Sequence, residues 1–299
     1  VDSPGDFIQW IFSGKELPDL SGLLSGFIDH PVYAVYFAAM AAIGVALLWG
    51  TFRLAFPRMS RIAPPKWNIW MVVIAFFLFI LVQAAVLAAV MLVEMEVQGK
   101  AYVPEPSLLD KELIAVISAP LVCIGGYLLL KAIVKVRAVD IGISLKGFPS
   151  DFGRGLLLVI MMLPLFLVVA ALNNMYLQTV HVDTSEQAVV QALRKVKSPL
   201  EIVMMFVMGL LAAPFSEEFI FRGILFKGLR RSIGADEAIL LSAAIFALLH
   251  MLDSSVAAFL PIFFLAVFLA YAYERTGSLW TPIAMHSLFN LLNLVQIFI

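Results

Sequence analysis

Residues 67–93 read WNIWMVVIAFFLFILVQAAVLAAVMLV, 27 consecutive positions without one Asp, Glu, Lys or Arg. The run is longer than the roughly 20 apolar residues with which an α-helix crosses the hydrocarbon core of a bilayer. Lipid offers the backbone no hydrogen bonds, so a lipid-exposed segment must satisfy its own amides, as a helix does. Working outward, seven further apolar runs lie near 32–52, 113–134, 156–180, 203–225, 238–252, 256–273 and 279–299, of which 238–252 is short and ends in polar residues. The expected fold class is all-α, a polytopic transmembrane helix bundle with about eight spans.

Composition agrees. Of 299 residues, 62% are hydrophobic and 14% charged, against about 45–50% and 25% in an average soluble domain. No soluble fold of this length could cover so much apolar surface, and the lipid bilayer is therefore an implied partner. Net charge is -1, which excludes the strongly basic balance of a nucleic-acid-binding protein. The one cysteine, Cys123, sits inside an apolar run and is expected to be a buried packing residue. No signal-peptide pattern is visible at the start.

Residues 1–30 mix Pro, Gly, Asp and Lys with short apolar stretches and are expected to form an N-terminal extramembrane or interfacial segment. Residues 31–139 hold the N-terminal spans. A basic loop containing Gly and Pro near 140–149 separates these from residues 140–299, which carry more intramembrane polar groups. Residues 185–197 could lie on the membrane surface as a short amphipathic helix or serve as a linker. Short loops rich in Lys and Arg stay cytoplasmic. Arg53, Arg58, Arg61 and Lys66 follow the first span, Lys131, Lys135, Arg137, Lys146 and Arg154 separate the third and fourth, and Lys227, Arg230 and Arg231 follow the fifth. The connection at 94–112 is mostly acidic; the one at 181–201, with Arg194, Lys195 and Lys197, is mixed. Both termini are thus expected outside an integral membrane protein, in a prokaryotic cell (inner) membrane.

A charge at the bilayer centre costs roughly 2.5–3.5 kcal/mol on insertion scales, so an intramembrane ionisable residue is a functional candidate by default. Here such residues are Glu217, Glu218 and Arg222 in the fifth span and His250 in the sixth, with His286 and the polar Asn290 in the eighth. Glu218 and Arg222 are four apart with the acid first, the favourable order for an ion pair on one helix face. Glu217, turned by about 100° at 3.6 residues per turn, is expected to point elsewhere and face a cavity. His286 and Asn290 share a face, as do Phe246 and His250. Four side chains, Glu217, His250, His286 and Asn290, could then meet in one pocket. A carboxylate there suits a general base that activates water, with histidine and amide donors for a developing oxyanion. Glu217, His250 and His286 could equally ligate zinc, whose catalytic sites take three protein ligands and a water. Residue types permit both. Taken singly, each group also has a structural reading: Glu218 and Arg222 as a plain ion pair, either histidine as a packed hydrogen-bonding residue.

At these positions the sequence resembles the CPBP intramembrane proteases, the CAAX protease and bacteriocin-processing or Abi family, and is similar to type II CAAX prenyl endopeptidases. The family's first motif, Glu-Glu-x3-Arg, is matched by Glu217, Glu218 and Arg222; its second, Phe-x3-His, by Phe246 and His250; its third, His-x3-Asn, by His286 and Asn290. All three occur in order, within a resemblance covering roughly residues 152–299, and residues 140–299 are identified as the CPBP/Abi-like catalytic membrane domain. The resemblance implies that Glu217 and His250 activate the hydrolytic water, that His286 and Asn290 stabilise the oxyanion, and that Glu218 and Arg222 support the site. It implies a membrane-associated protein or peptide substrate and leaves zinc open as cofactor. In the family, eukaryotic relatives trim prenylated CAAX proteins, while many prokaryotic members act in bacteriocin maturation or self-immunity or have no known substrate, and the sequence does not select among these. HExxH, Gly-x-Gly-Asp and Gly-x-Ser-Gly patterns are absent. Two rivals remain: a transporter using the buried acids and histidines as an ion relay, recruiting Asn173, Asn174 and Pro164 of the fourth span, and a catalytically silent membrane scaffold.

Overall fold

The structure, a computed structural model, describes residues 65, 67, 69–98, 108–179, 196, 198–251 and 258–298. The expected first span at 32–52, the segment 1–30, the basic residues Arg53, Arg58, Arg61 and Lys66 and, but for Val196, the surface segment 185–197 lie outside the described residues. Among the described residues every regular element is helical. These are α1 (Ile69–Gln98), α2 (Leu108–Val134), a 3-10 turn (Ala138–Ile141), α3 (Phe148–Thr179), α4 (Pro199–Ile233), α5 (Ala235–Met251), α6 (Phe259–Thr276) and α7 (Trp280–Phe298).

Five of them are long and apolar enough to cross a membrane: α1 over Trp70–Val93, α2 over Leu113–Val134, α3 over Phe148–Asn174, and the whole of α4 and α6. On α1 the side chains of Trp70, Phe77 and Ile80 are 72%, 61% and 59% exposed, a surface that lipid covers at no hydrophobic cost. The chain is an integral membrane protein. Helix α5, read from sequence as the shortest span, has 17 residues.

Helix ends differ from the hydropathy reading. Helix α3 begins at Phe148 rather than near 156, and α4 runs past 203–225 at both ends. Apolar content marks the part of a helix that needs lipid, whereas the helix itself continues into polar flanks that side chains can stabilise. Arg154 and Asp151 pair at 2.9 Å on the first turns of α3. Lys227, Arg230 and Arg231, expected in a loop, belong to the last turns of α4. Lys227 is 4% exposed and its ammonium donates to the Asp140 carbonyl. Arg230 pairs with Glu274 at 2.7 and 2.9 Å, and Arg231 donates to the Pro65 carbonyl at 3.1 Å.

The chain forms two compact units, each discontinuous in sequence: Ser60–Leu156 with Ala192–Ser242 and Leu269–Ile299, and Val1–Met59 with Leu157–Gln191 and Ala243–Phe268. In the former, α2 and α7 flank the N-terminal half of α4, and α1 packs on α2 and on the C-terminal half of α4. The Trp67 indole donates to the Ile224 carbonyl at 3.0 Å, and the rings of Phe76 and Phe221 meet edge to face at 5.6 Å. The basic segment read as a loop near 140–149 is an ordered junction. Gly142 takes φ 90, which only glycine adopts without strain, and its carbonyl accepts from Leu279 N–H at 2.9 Å. Tyr273 donates to Ile141 O at 2.6 Å and Trp280 Nε1 to Ser144 O at 2.8 Å. The start of α3 is thereby held against the start of α7, where a Cβ on Gly155 would collide with the Thr281 carbonyl and lie 2.8 Å from Ala284 Cβ. Arg137, exposed beside this junction, is held above the ordinary guanidinium range by its hydrogen bonds and charge pairing with Asp140. In the other unit Phe166 and Phe264 approach at 6.4 Å, and Phe246 is fully buried.

Candidate active site

Helix α4 starts where chain chemistry allows it, with Ser198 extended at the N-cap and Pro199 following at N1, a position where the missing N–H is no loss. Its 35 residues are not uniform. Two π-helical stretches, Met208–Ala212 and Phe219–Phe226, enclose an ordinary α-helical segment, Ala213–Glu218. π-Helical turns are rare and recur at functional sites. Both acids of the first motif sit at the end of the enclosed segment.

Glu218 and Arg222 form the ion pair expected from their spacing, at 2.9 Å, with side chains 0% and 1% exposed. An unpaired charge at that depth would be strongly destabilising, so each is the condition for the other. Glu218 has a second partner that the spacing did not reveal. Its Oε1, which accepts from Arg222, also lies 3.0 Å from His286 Nδ1. A carboxylate facing Nδ1 places the proton on that nitrogen and fixes the ring.

Glu217 was expected to point away from its neighbour. Instead its Oε2 lies 3.8 Å from His286 Nε2, so consecutive acids flank the two nitrogens of one imidazole. Two long side chains can converge on a ring whose nitrogens face opposite ways, despite the 100° between their Cα positions. The acids are not equivalent: the Glu217 side chain is 25% exposed and that of Glu218 is 0%. Glu217 is the more exposed of the two acids, although its Oε2, the atom that faces His286, is itself buried. The 3.8 Å separation is too long for a hydrogen bond.

Asn290 follows His286 by one turn on α7, and its Nδ2 donates to the Gly209 carbonyl at 2.9 Å in the first π stretch. An amide has two N–H donors, so this tie leaves a second hydrogen for other use. Ser287, beside His286, donates to the Leu210 carbonyl at 2.8 Å. Sequence reasoning missed Ser287, although Pro214 inside the run that carries the acids is a signal of disturbed backbone bonding.

His250 belongs to the other unit. Its ring stacks on Phe246 at 4.2 Å and its Nδ1 donates to the Phe246 carbonyl at 2.9 Å. The Phe-x3-His spacing thus serves both contacts and leaves Nε2 as the basic nitrogen of the neutral ring. The structure brings together Glu217, Glu218, Arg222 and His286, with Asn290 one turn along α7.

For zinc the donor set is short. Among the described residues no group of three or more His, Cys, Asp or Glu is arranged to hold a metal ion. Glu217 and His286 offer two donors within their unit, where a catalytic zinc takes three protein ligands.

Residues 199–292 match the family model described as type II CAAX prenyl endopeptidase Rce1-like. The matched stretch contains all three motifs and bears out the resemblance read from them. No curated protein and no solved structure matches the chain.

Proposed function

From the Rce1-like match over residues 199–292 and the buried acid–histidine network within it, we propose that the protein is an intramembrane endopeptidase. It hydrolyses peptide bonds of membrane-associated proteins or peptides with a water activated by Glu217 and His250. The observation that carries this reading is the chain of contacts Arg222, Glu218, His286, Glu217, in which only the last acid has a partly exposed side chain. Arg222 and His286 both draw on Glu218, leaving Glu217 as the proton acceptor. Water oxygen attacks the scissile carbonyl carbon as Glu217 takes its proton. The carbonyl oxygen becomes an oxyanion, which the second N–H of Asn290 is suited to receive, as preorganised donors do in acyl transfer; His286, whose Nδ1–H faces Glu218, could join it through Nε2 only as the doubly protonated ring. Collapse restores the carbonyl and breaks the C–N bond, and the proton held by Glu217 passes to the leaving amine. The family resemblance assigns His250 a share in activating the water; its Nδ1 is tied to its own helix, and Glu218 and Arg222 hold His286.

The test is peptide release from total membrane protein, with prenylated CAAX peptides included, by purified wild type and by Glu217→Ala, each with and without a zinc chelator. Peptides released by wild type alone are expected, unaffected by chelation. Loss of activity on chelation would mean that the chemistry needs a metal. Equal release by both proteins would overturn the proposal.

A further inference from the structure

In an α-helix each carbonyl accepts from the N–H four residues ahead. At the first π stretch of α4 this pattern slips by one, and Ala213 N–H donates to Met208 O. Pro214 disturbs two carbonyls. Gly209 O would take Ala213 N–H in an α pattern and residue 214 in a π pattern; the former is engaged with Met208, and the latter is Pro214, which has no N–H. Leu210 O meets the same proline in the α pattern and reaches Phe215 N–H only by keeping the π offset. Helix α7 supplies both donors from side chains, Asn290 to Gly209 O at 2.9 Å and Ser287 to Leu210 O at 2.8 Å. Close approach is possible because residue 209 is glycine: a Cβ there would lie 2.9 Å from Leu294 Cδ1. Positions 287, 290 and 294 are spaced as one helix face.

Both ends of this tie adjoin the acid–histidine network. Pro214 precedes Glu217 by less than one turn, and Ser287 follows His286 directly. We infer that Ser287, an unassigned position inside the His-x3-Asn motif, is a positioning residue. Its hydroxyl replaces the hydrogen bond that Pro214 cannot make and so fixes the rotation of α4 at which Glu217 and Glu218 meet the two nitrogens of His286. This rests on the hydrolytic reading above only for its effect on rate; the geometric role stands apart from it. Proline forces the disturbance, the π offset re-aims the acids, and Ser287 with Asn290 holds the result.

The experiment compares wild type, Ser287→Ala and Ser287→Thr in detergent. It measures kcat and KM for a released peptide and the 15N resonances of His286, identified by their loss in His286→Gln. Ser287→Ala is expected to lower kcat on the order of tenfold or more, as small misplacements of catalytic groups do, with KM within about twofold and the His286 nitrogens shifted. Ser287→Thr, which keeps the hydroxyl, is expected to restore both. Wild-type kcat and wild-type His286 resonances in Ser287→Ala would overturn the inference. So would a slow Ser287→Ala that threonine does not rescue and whose His286 resonances are unmoved, because that is general destabilisation. If wild type releases no peptide while Ser287→Ala still moves the His286 resonances and threonine restores them, the positioning role stands and the peptidase reading falls.

Discussion

Helices α1 and α4 pack against each other and could hardly be built more differently. The 24-residue spanning part of α1 has no charged side chain and only 12% of its most apolar window buried in protein. It meets lipid on most sides, and its regularity follows, since nothing in it competes with its own backbone bonds. Helix α4, at 35 residues and lower hydropathy, buries a carboxylate and a guanidinium completely, contains a proline, and abandons the α pattern twice. A membrane helix departs from the simplest solution only where side chains from neighbours meet the cost, and here those neighbours are α7 and α1. The difference singles out α4 as the candidate helix without reference to any motif.

The comparison breaks most visibly at Glu217. Glu217→Gln keeps the shape and removes the proton acceptor. Peptide release is expected to fall roughly 10²–10⁴-fold, the range for a general base, with unchanged unfolding behaviour. If flux of a solute through proteoliposomes were lost instead, while peptide release stayed absent in wild type, the transporter would be the better reading.

Next comes Glu218. Its 0% exposure and its two cationic or proton-donating partners make it the structural centre of the network. Glu218→Ala leaves Arg222 buried without its counter-ion, a change expected to cost about 3–5 kcal/mol, read as lowered resistance to unfolding in detergent. A stable Glu218→Ala would mean that Arg222 is served by other groups and that α4 tolerates charge as easily as α1 tolerates none. Smaller is the effect at Gly155, where a Cβ meets the Thr281 carbonyl and Ala284. Gly155→Ala is expected to cost about 1–3 kcal/mol through overpacking, measured the same way, with kcat of the folded protein unchanged.

What the sequence disclosed and what it hid divide along the same line. Apolar length shows the spanning parts of α1 and α2 directly, that of α2 over 113–134, although the helix itself starts at Leu108. Local spacing shows the Glu218–Arg222 pair, because four residues on one helix decide it. The convergence of Glu217 and Glu218 on His286 was hidden, since it depends on where a helix 68 residues later is placed and on an imidazole having two faces. The first π stretch was half hidden for a related reason: Pro214 inside α4 signals a disturbance, but the donors that meet Gly209 O and Leu210 O come from Asn290 and Ser287 on α7. The helix ends were hidden because hydropathy is silent about polar turns that ion pairs stabilise, as in Arg154 with Asp151 and Arg230 with Glu274.

The smallest effect sharpens the comparison within α1 itself. Phe76 and Phe77 are adjacent and chemically identical, yet only Phe76 faces protein, meeting Phe221 of α4 edge to face at 5.6 Å, while Phe77 is 61% exposed. An aromatic pair contributes about 0.5–1.5 kcal/mol beyond the area it buries; a side chain in lipid exchanges one apolar neighbour for another. Phe76→Leu is therefore expected to lower unfolding resistance by about that amount, and Phe77→Leu to stay within about 0.5 kcal/mol of wild type. Because both substitutions remove the same atoms from the same helix, propensity and hydrophobicity cancel between them. Any difference reports the contact with α4 alone. Equal effects would mean that α1 is held by its lipid-facing regularity, and that the Phe221 face of α4 needs no partner there.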